Sequence, residues 1–212
     1  MYETILLYLH QNASNYMVLV LQHLRISGLS VGFAILIGVS LGIYSANSSR
    51  LYNTFSGFFG LLRVVPSLAI LVVCIPVFGV GVVPATIALT VLAIPPVMIN
   101  TALGLRGVPD SVIETAVGMG MDSCLIFLKI KLPLAMPLII TGIRTAAVEV
   151  IASATLASYI GAGGLGDIIF TGLGLYRMDL LVLGGISVAA LSLLTDLVLS
   201  SLEFSVTRYQ RS

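Results

Sequence analysis

The 212-residue chain is 58% hydrophobic and 9% charged, against ~25% charge in an ordinary soluble domain, so water is not its main solvent. A formal net charge of +1 leaves no surface basic enough for nucleic acid. The ~10-residue alternation of a transmembrane β-barrel is absent, which leaves helices as the way to satisfy a backbone in hydrocarbon: an all-α, multi-pass membrane protein.

The chain opens on acidic Met1-Tyr2-Glu3, and its first apolar run, Ile5 to Leu9, is too short for a signal peptide, so the mature chain is expected to start near Met1. Residues 2–23 mix Glu3, His10 and His23 with Leu, Ile and Tyr, which predicts a helix lying at the outer interface. Five crossings follow, at roughly 24–46, 55–78, 83–105, 138–160 and 180–202. On the first, Gly28 with Gly32 and Gly38 with Gly42 have the four-residue spacing of closely packed membrane helices. Pro66, Pro76, Pro95 and Pro96 are expected to kink or unwind their helices, as in helices that line pathways. Only Gly79 to Pro84 separates the second crossing from the third, which calls for a tight hairpin. Cys74 and Cys124 are far apart and suggest neither a disulfide nor a metal site.

Orientation is read from Lys and Arg, which concentrate in cytoplasmic loops. Placing residues 106–137 inside gathers Arg50, Arg106, Lys129, Lys131, Arg208 and Arg211 there, with Arg177 and Arg25 opposite. The N-terminus is then outside, the C-terminus inside, and 161–179 an external loop of a single domain, 1–212.

Residues 106–137 are too polar to cross and too patterned for a linker. Ser111 to Glu114 matches a capping box, so a helix is predicted from Ser111. Ala116 and Gly120 would share one face and Val117 and Met121 an adjacent one, with Gly120 ending the helix and Asp122-Ser123 opening a second. The segment is either an ordinary surface helix or a docking helix.

Glu114-Thr115-Ala116, Gly120 and Ile130-Lys131-Leu132-Pro133 resemble, spacing for spacing, the cytoplasmic signature of ABC-importer permeases: Glu-Ala-Ala, three residues, Gly, nine residues, Ile, one residue, Leu-Pro. Thr115 for Ala is the one departure. The resemblance implies a type I ABC importer permease fold in a bacterial inner membrane. It assigns ATPase coupling to Ser111, Glu114, Thr115, Ala116, Gly118, Gly120, Met121, Ile130, Leu132 and Pro133. It also implies a separate ATP-binding subunit that holds ATP and Mg, an external substrate-binding protein, and a second permease copy or paralogue. Pro66 to Leu71, Ile75 to Gly81, Gly118 to Met121, Gly142 to Ala146 and Ile160 to Gly166 further resemble permeases for quaternary-ammonium osmoprotectants such as glycine betaine, carnitine and choline. An amino-acid permease of the methionine type is the alternative. A stand-alone channel or secondary transporter would need no docking helix and would usually show repeated halves.

Gly161 to Gly166 satisfies G-x-G-x-x-G, but a membrane helix and not a strand precedes it, so no nucleotide role follows. Its glycines are expected to permit a re-entrant turn close to a partner protein. No G-x-x-x-x-G-K-[ST] occurs, so ATP is expected on another chain, with no cofactor or metal on this one. Ionisable residues inside crossings are functional candidates: Arg63 and Arg144, which could snorkel, deeper Glu149, which calls for a partner on another helix, and Asp196. Pathway or gate candidates are Pro66, Ser67, Pro95, Pro96, Glu149, Tyr159, Gly163 and Gly164. Quaternary ammonium is best held by an aromatic cage. The chain has no Trp, and only Tyr159, Phe170 and Tyr176 gather near the expected outer mouth, so high-affinity recognition is expected on the external protein.

Overall fold

Seven consecutive residues, Leu92 to Met98, are buried in one helix, which therefore has neighbours on all sides. That helix is α4 (Val82–Arg106), the central post of a computed structural model that describes residues 2–207. Around it run α1 (Tyr2–Ala46), α2 (Ser49–Leu62), α3 (Ser67–Phe78), α5 (Asp110–Gly118), α6 (Ser123–Ile126), a π-helical turn at Phe127–Lys131, α7 (Leu132–Ala157), a 3-10 turn at Ser158–Ile160, α8 (Gly166–Gly174) and α9 (Met178–Thr207). Arg208 and Arg211, counted above for orientation, lie outside the described residues.

Glycines bring the neighbours against α4. A Cβ on Gly38 would lie 2.9 Å from that of Val97, and one on Gly42 would lie 2.5 Å from that of Thr101, so only glycine lets α1 pack here. On the other flank, a Cβ on Gly142 of α7 would lie 2.8 Å from the Pro96 carbonyl oxygen, and one on Gly104 would lie 2.9 Å from that of Ala135. The companion pair Gly28 and Gly32 departs from the expectation: no atom lies within 4 Å of either position, and both border a groove of about 440 Å³ between α1, α7 and α9.

The expected boundary between an interfacial segment 2–23 and a crossing is missing. α1 spans 45 residues in two helical stretches joined at a kink at Asn12, the one residue inside it with non-helical dihedrals. Beyond the kink the helix runs unbroken through residue 23 to Ala46, ~51 Å at 1.5 Å per residue against the ~30 Å of bilayer hydrocarbon. The apolar stripe expected at the outer interface meets protein. Ile5, Tyr8, Leu9, Tyr16, Leu19 and Val20 pack against Leu165, Ile168, Leu180 and Leu183, and the Tyr16 hydroxyl lies 2.8 Å from that of Ser187.

The second expected crossing is broken into α2 and α3, bent by 91°. Pro66 has no N–H and disfavours helix at Val65; with ψ at 135° it closes one helix and caps the next. Among the described residues four helices are long and apolar enough to cross, or five if the bent pair counts as one. The other prolines do not unwind their helices: α3 runs through Pro76 and α4 through Pro95 and Pro96. The hairpin expected after residue 78 is present, turned by left-handed Gly79 and Gly81, and the Gly81 N–H donates to the Ile160 carbonyl at 2.8 Å.

Gly42→Leu is expected to push α1 off α4 at an overpacking cost of ~1–3 kcal/mol, lowering the thermal unfolding midpoint in detergent. Gly32→Leu, which fills open space, should leave the midpoint unchanged, and equal effects would contradict the packing described.

Candidate functional site

The segment between α4 and α7 begins with a reset of the backbone. Pro109 disfavours helix at Val108 and takes an extended conformation, so α5 starts at Asp110, whose carboxylate suits the helix N-terminus. Ser111 therefore lies inside the first turn and the predicted capping box does not form. The Ser111 carbonyl instead accepts the Thr115 hydroxyl at 2.7 Å, which satisfies the one side chain that departs from the family pattern. Glu114 and Gly118 are exposed.

α5 ends as its composition demands. Gly120 has φ +82°, and the Met121 and Gly120 N–H groups return to the carbonyls of Ala116 and Val117. Asp122 then caps α6 by accepting the Leu125 N–H at 2.7 Å.

The expected flat face of Ala116 and Gly120 does not exist. Ala116 is fully buried, anchoring α5 to the protein, and Gly120 lies past the helix end. Apolar side chains are exposed nonetheless: Met119, 70% exposed, and Val112 border one hollow with Ser111, Thr115 and Ile130, while Val117, 59% exposed, lies on the opposite side of the helix. Ile113 and Val117, with Ile126 of α6, close a cleft of about 320 Å³ against Ile43, Leu105 and Phe127. Ile130, Leu132 and Pro133 are half-buried where the chain enters α7. Pro133 would clash with the Lys129 carbonyl in a regular helix, and the preceding turn is wound wide, with the Leu132 N–H reaching Phe127 O.

A second polar feature lies among the spans. Arg144 of α7 donates from Nε and Nη2 to the two Asp196 oxygens of α9 at 2.5 and 2.8 Å, and Nη1 reaches Glu203 at 3.4 Å. The Thr141 hydroxyl donates to Glu203 at 3.0 Å. Arg144 therefore clamps α7 to α9 and does not snorkel. Glu149 does not find the partner helix that its depth suggested, because its Oε2 is buried with no hydrogen bond. It borders a groove of about 470 Å³ that Arg63, Thr145, Val148 and Ala152 also line.

The remaining pathway candidates scatter. Pro66 is exposed at the α2–α3 bend and Ser67 opens α3 half-buried, whereas Pro95 and Pro96 are buried in the core and line no passage within this chain. Tyr159 is exposed, its ring 5.7 Å from Phe170. Gly163 and Gly164 permit close approach to this chain's own α1: the Gly164 N–H donates to Gln22 Oε1 at 3.2 Å, and a Cβ there would lie 3.1 Å from the His23 ring. Beside them, burial pushes the Asp167 carboxyl above its ordinary pKa, partly offset by a hydrogen bond with Ser158. Met119 and the π-turn were missed in the sequence; an apolar side chain in a polar segment was the available signal for the first, and Pro133 for the second.

A family model described as the binding-protein-dependent transport system inner membrane component matches residues 34–208. The carnitine transport permease protein OpuCB of Listeria monocytogenes is 44% identical over 205 residues, 97% of this chain and 94% of its own. The choline transport system permease protein OpuBB of Bacillus subtilis is 38% identical over 94% of this chain and 92% of its own. An inward-facing structure of the MetNI methionine ABC transporter superposes with a TM-score of 0.82 at 24% identity, over 91% of this chain and 96% of that one, a likeness of fold.

At Gly120 the backbone, not the space, is restrictive, since nothing lies within 4 Å of a Cβ. Gly120→Val should therefore cost ~1–2 kcal/mol in the left-handed conformation and depress substrate-dependent ATP hydrolysis by the assembled transporter. Gly120→Asn, which tolerates that conformation, should retain most of it. Equal loss in both would assign the effect to bulk.

Proposed function

The chain belongs to the inner-membrane components of binding-protein-dependent transport systems, and on that premise we propose that it is the permease subunit of an ATP-driven importer of quaternary-ammonium osmoprotectants, N-terminus outside and C-terminus inside. The observation that carries the coupling role is the exposed apolar pair Val112 and Met119 at a short helix outside the spans, which with Ser111, Thr115 and Ile130 border a hollow of about 300 Å³. Asp110 and Glu114 are exposed elsewhere on the same helix, a mixture suited to a protein cleft more than to lipid.

In this reading α5 seats in a separate ATPase subunit, which holds ATP and Mg. Closure of that subunit displaces α5, and the motion passes through α6 and the π-turn into α7, which the Arg144 clamp joins to α9. Buried Ala116 makes α5 part of the moving body and not a loose flap. A substrate-binding protein delivers solute at the outer side, where the Gly161 to Gly166 turn is held rigidly on α1. A second permease copy or paralogue supplies the other half of the passage. The substrate class rests on the carnitine and choline relatives. The amino-acid alternative shares the fold and stands as an outcome of the same experiment.

The complete transporter, reconstituted with its ATPase and binding protein, should take up labelled glycine betaine, carnitine or choline in an ATP-dependent way. Met119→Asp should leave the chain in the membrane while weakening ATPase association and removing substrate-stimulated hydrolysis. Uptake of an amino acid and of none of the three would overturn the substrate reading, and normal coupling in Met119→Asp would overturn the role of α5.

Orientation has its own test. Gly174 lies in the segment assigned outside, with open space around it. An impermeant thiol reagent should label Gly174→Cys in intact cells and not Ser49→Cys, and the reverse pattern would invert the topology.

A further inference from the structure

Among the described residues, Glu149 and Arg63 have no partner, and both face one groove, which the Arg144–Asp196 pair also lines. Glu149 Oε2 is buried without a hydrogen bond. Among the described residues the Arg63 side chain, at the end of α2, enters no ion pair or hydrogen bond, yet it lines the same space. Arg144, five residues before Glu149 and so on a different face of α7, does not neutralise it. The Arg144 guanidinium is already shared between two carboxylates, Asp196 and Glu203. A buried carboxylate oxygen left unpaired among the spans is costly, exposed Arg63 brings a permanent positive charge to the same space, and at about 470 Å³ the groove has the size of a small-molecule site. Opposite charges held apart across such a space describe a receptor for a molecule that carries both.

We propose that this groove is a solute site for a small zwitterion, with Arg63 taking the carboxylate and Glu149 the cationic end. Arg63 suits its half because guanidinium is planar, permanently charged and able to bind carboxylate through two hydrogen bonds. Glu149 suits the other because a quaternary ammonium has no N–H to donate: it offers net charge and polarised methyl groups. Val148 and Ala152 beside Glu149 provide apolar wall for those methyls. This deepens the preceding reading and rests on it. It also divides the substrates: betaine and carnitine use both residues, whereas choline, a cation without a carboxylate, needs Glu149 alone.

The test is direct binding to the purified permease–ATPase complex in lipid nanodiscs, without the external binding protein, using labelled glycine betaine and labelled choline. Arg63→Gln is expected to weaken betaine binding roughly tenfold or more, the worth of a charge-assisted pair, while choline binding persists and certifies the fold. Arg63→Lys should restore part of the betaine affinity, and Glu149→Gln should weaken both ligands. The inference is overturned if the unmodified complex binds neither ligand or if Arg63→Gln weakens both equally. It is overturned too if exchanging the charges, Arg63→Glu with Glu149→Arg, restores transport, because the two residues would then serve as an ion pair between permease copies. Uptake by the complete transporter judges the preceding reading separately.

Discussion

Close approach of backbone to backbone along α4 is the contact on which the rest of the molecule depends. Hydrocarbon supplies no drive to bring helices together, so association relies on dispersion at short range, and that range is reached only where side chains are absent. Gly38 and Gly42 of α1, Gly142 of α7 and Gly104 of α4 itself occupy these places. With α1 and α7 fixed on adjacent flanks of one post, α9 is held through the Arg144 clamp and α8 through the apolar cluster it shares with the first half of α1. Polar contacts then need only orient a frame that small residues have assembled.

Two irregular stretches take their meaning from that frame. The bend between α2 and α3 leaves Arg63 at a helix end facing the groove, where an unbroken helix would not have placed it. On the other side of α7, α5 and α6 form a small unit tied down by one fully buried methyl group, Ala116, while presenting larger apolar side chains outward. A docking element needs both properties. Without the anchor it would absorb a push, and without the exposed surface nothing would grip it.

Much of this was legible in the sequence. The apolar runs mark the spans, one of the two glycine pairs marks a contact point, and the Glu114 to Pro133 spacing marks the family. The losses have common causes. Residues 2–23 look interfacial because amphipathic periodicity records an apolar face without saying what covers it, and α8 and α9 cover it here. Gly28 and Gly32 have the same spacing as Gly38 and Gly42, but spacing cannot say which pair meets a neighbour. The capping box at Ser111 failed because Pro109 set the helix start earlier than the Ser and Glu pattern implied. Proline alone does not say where a helix stops: Pro95 and Pro96 sit inside a helix that does not unwind, whereas Pro66 separates two.

The π-turn at Phe127–Lys131 bears on how chain length can vary in this region. In a regular α-helix, removing one residue rotates everything beyond it by about 100° and shortens it by about 1.5 Å, which would turn the Arg144 clamp away from α9 and Glu149 out of its groove. A π-turn holds one residue more than the regular helix that could replace it. Deleting that one residue would keep both flanks in phase but would set Pro133 in a regular turn, against the carbonyl four residues before it, so the extra residue is what lets a proline open α7 without a change of register.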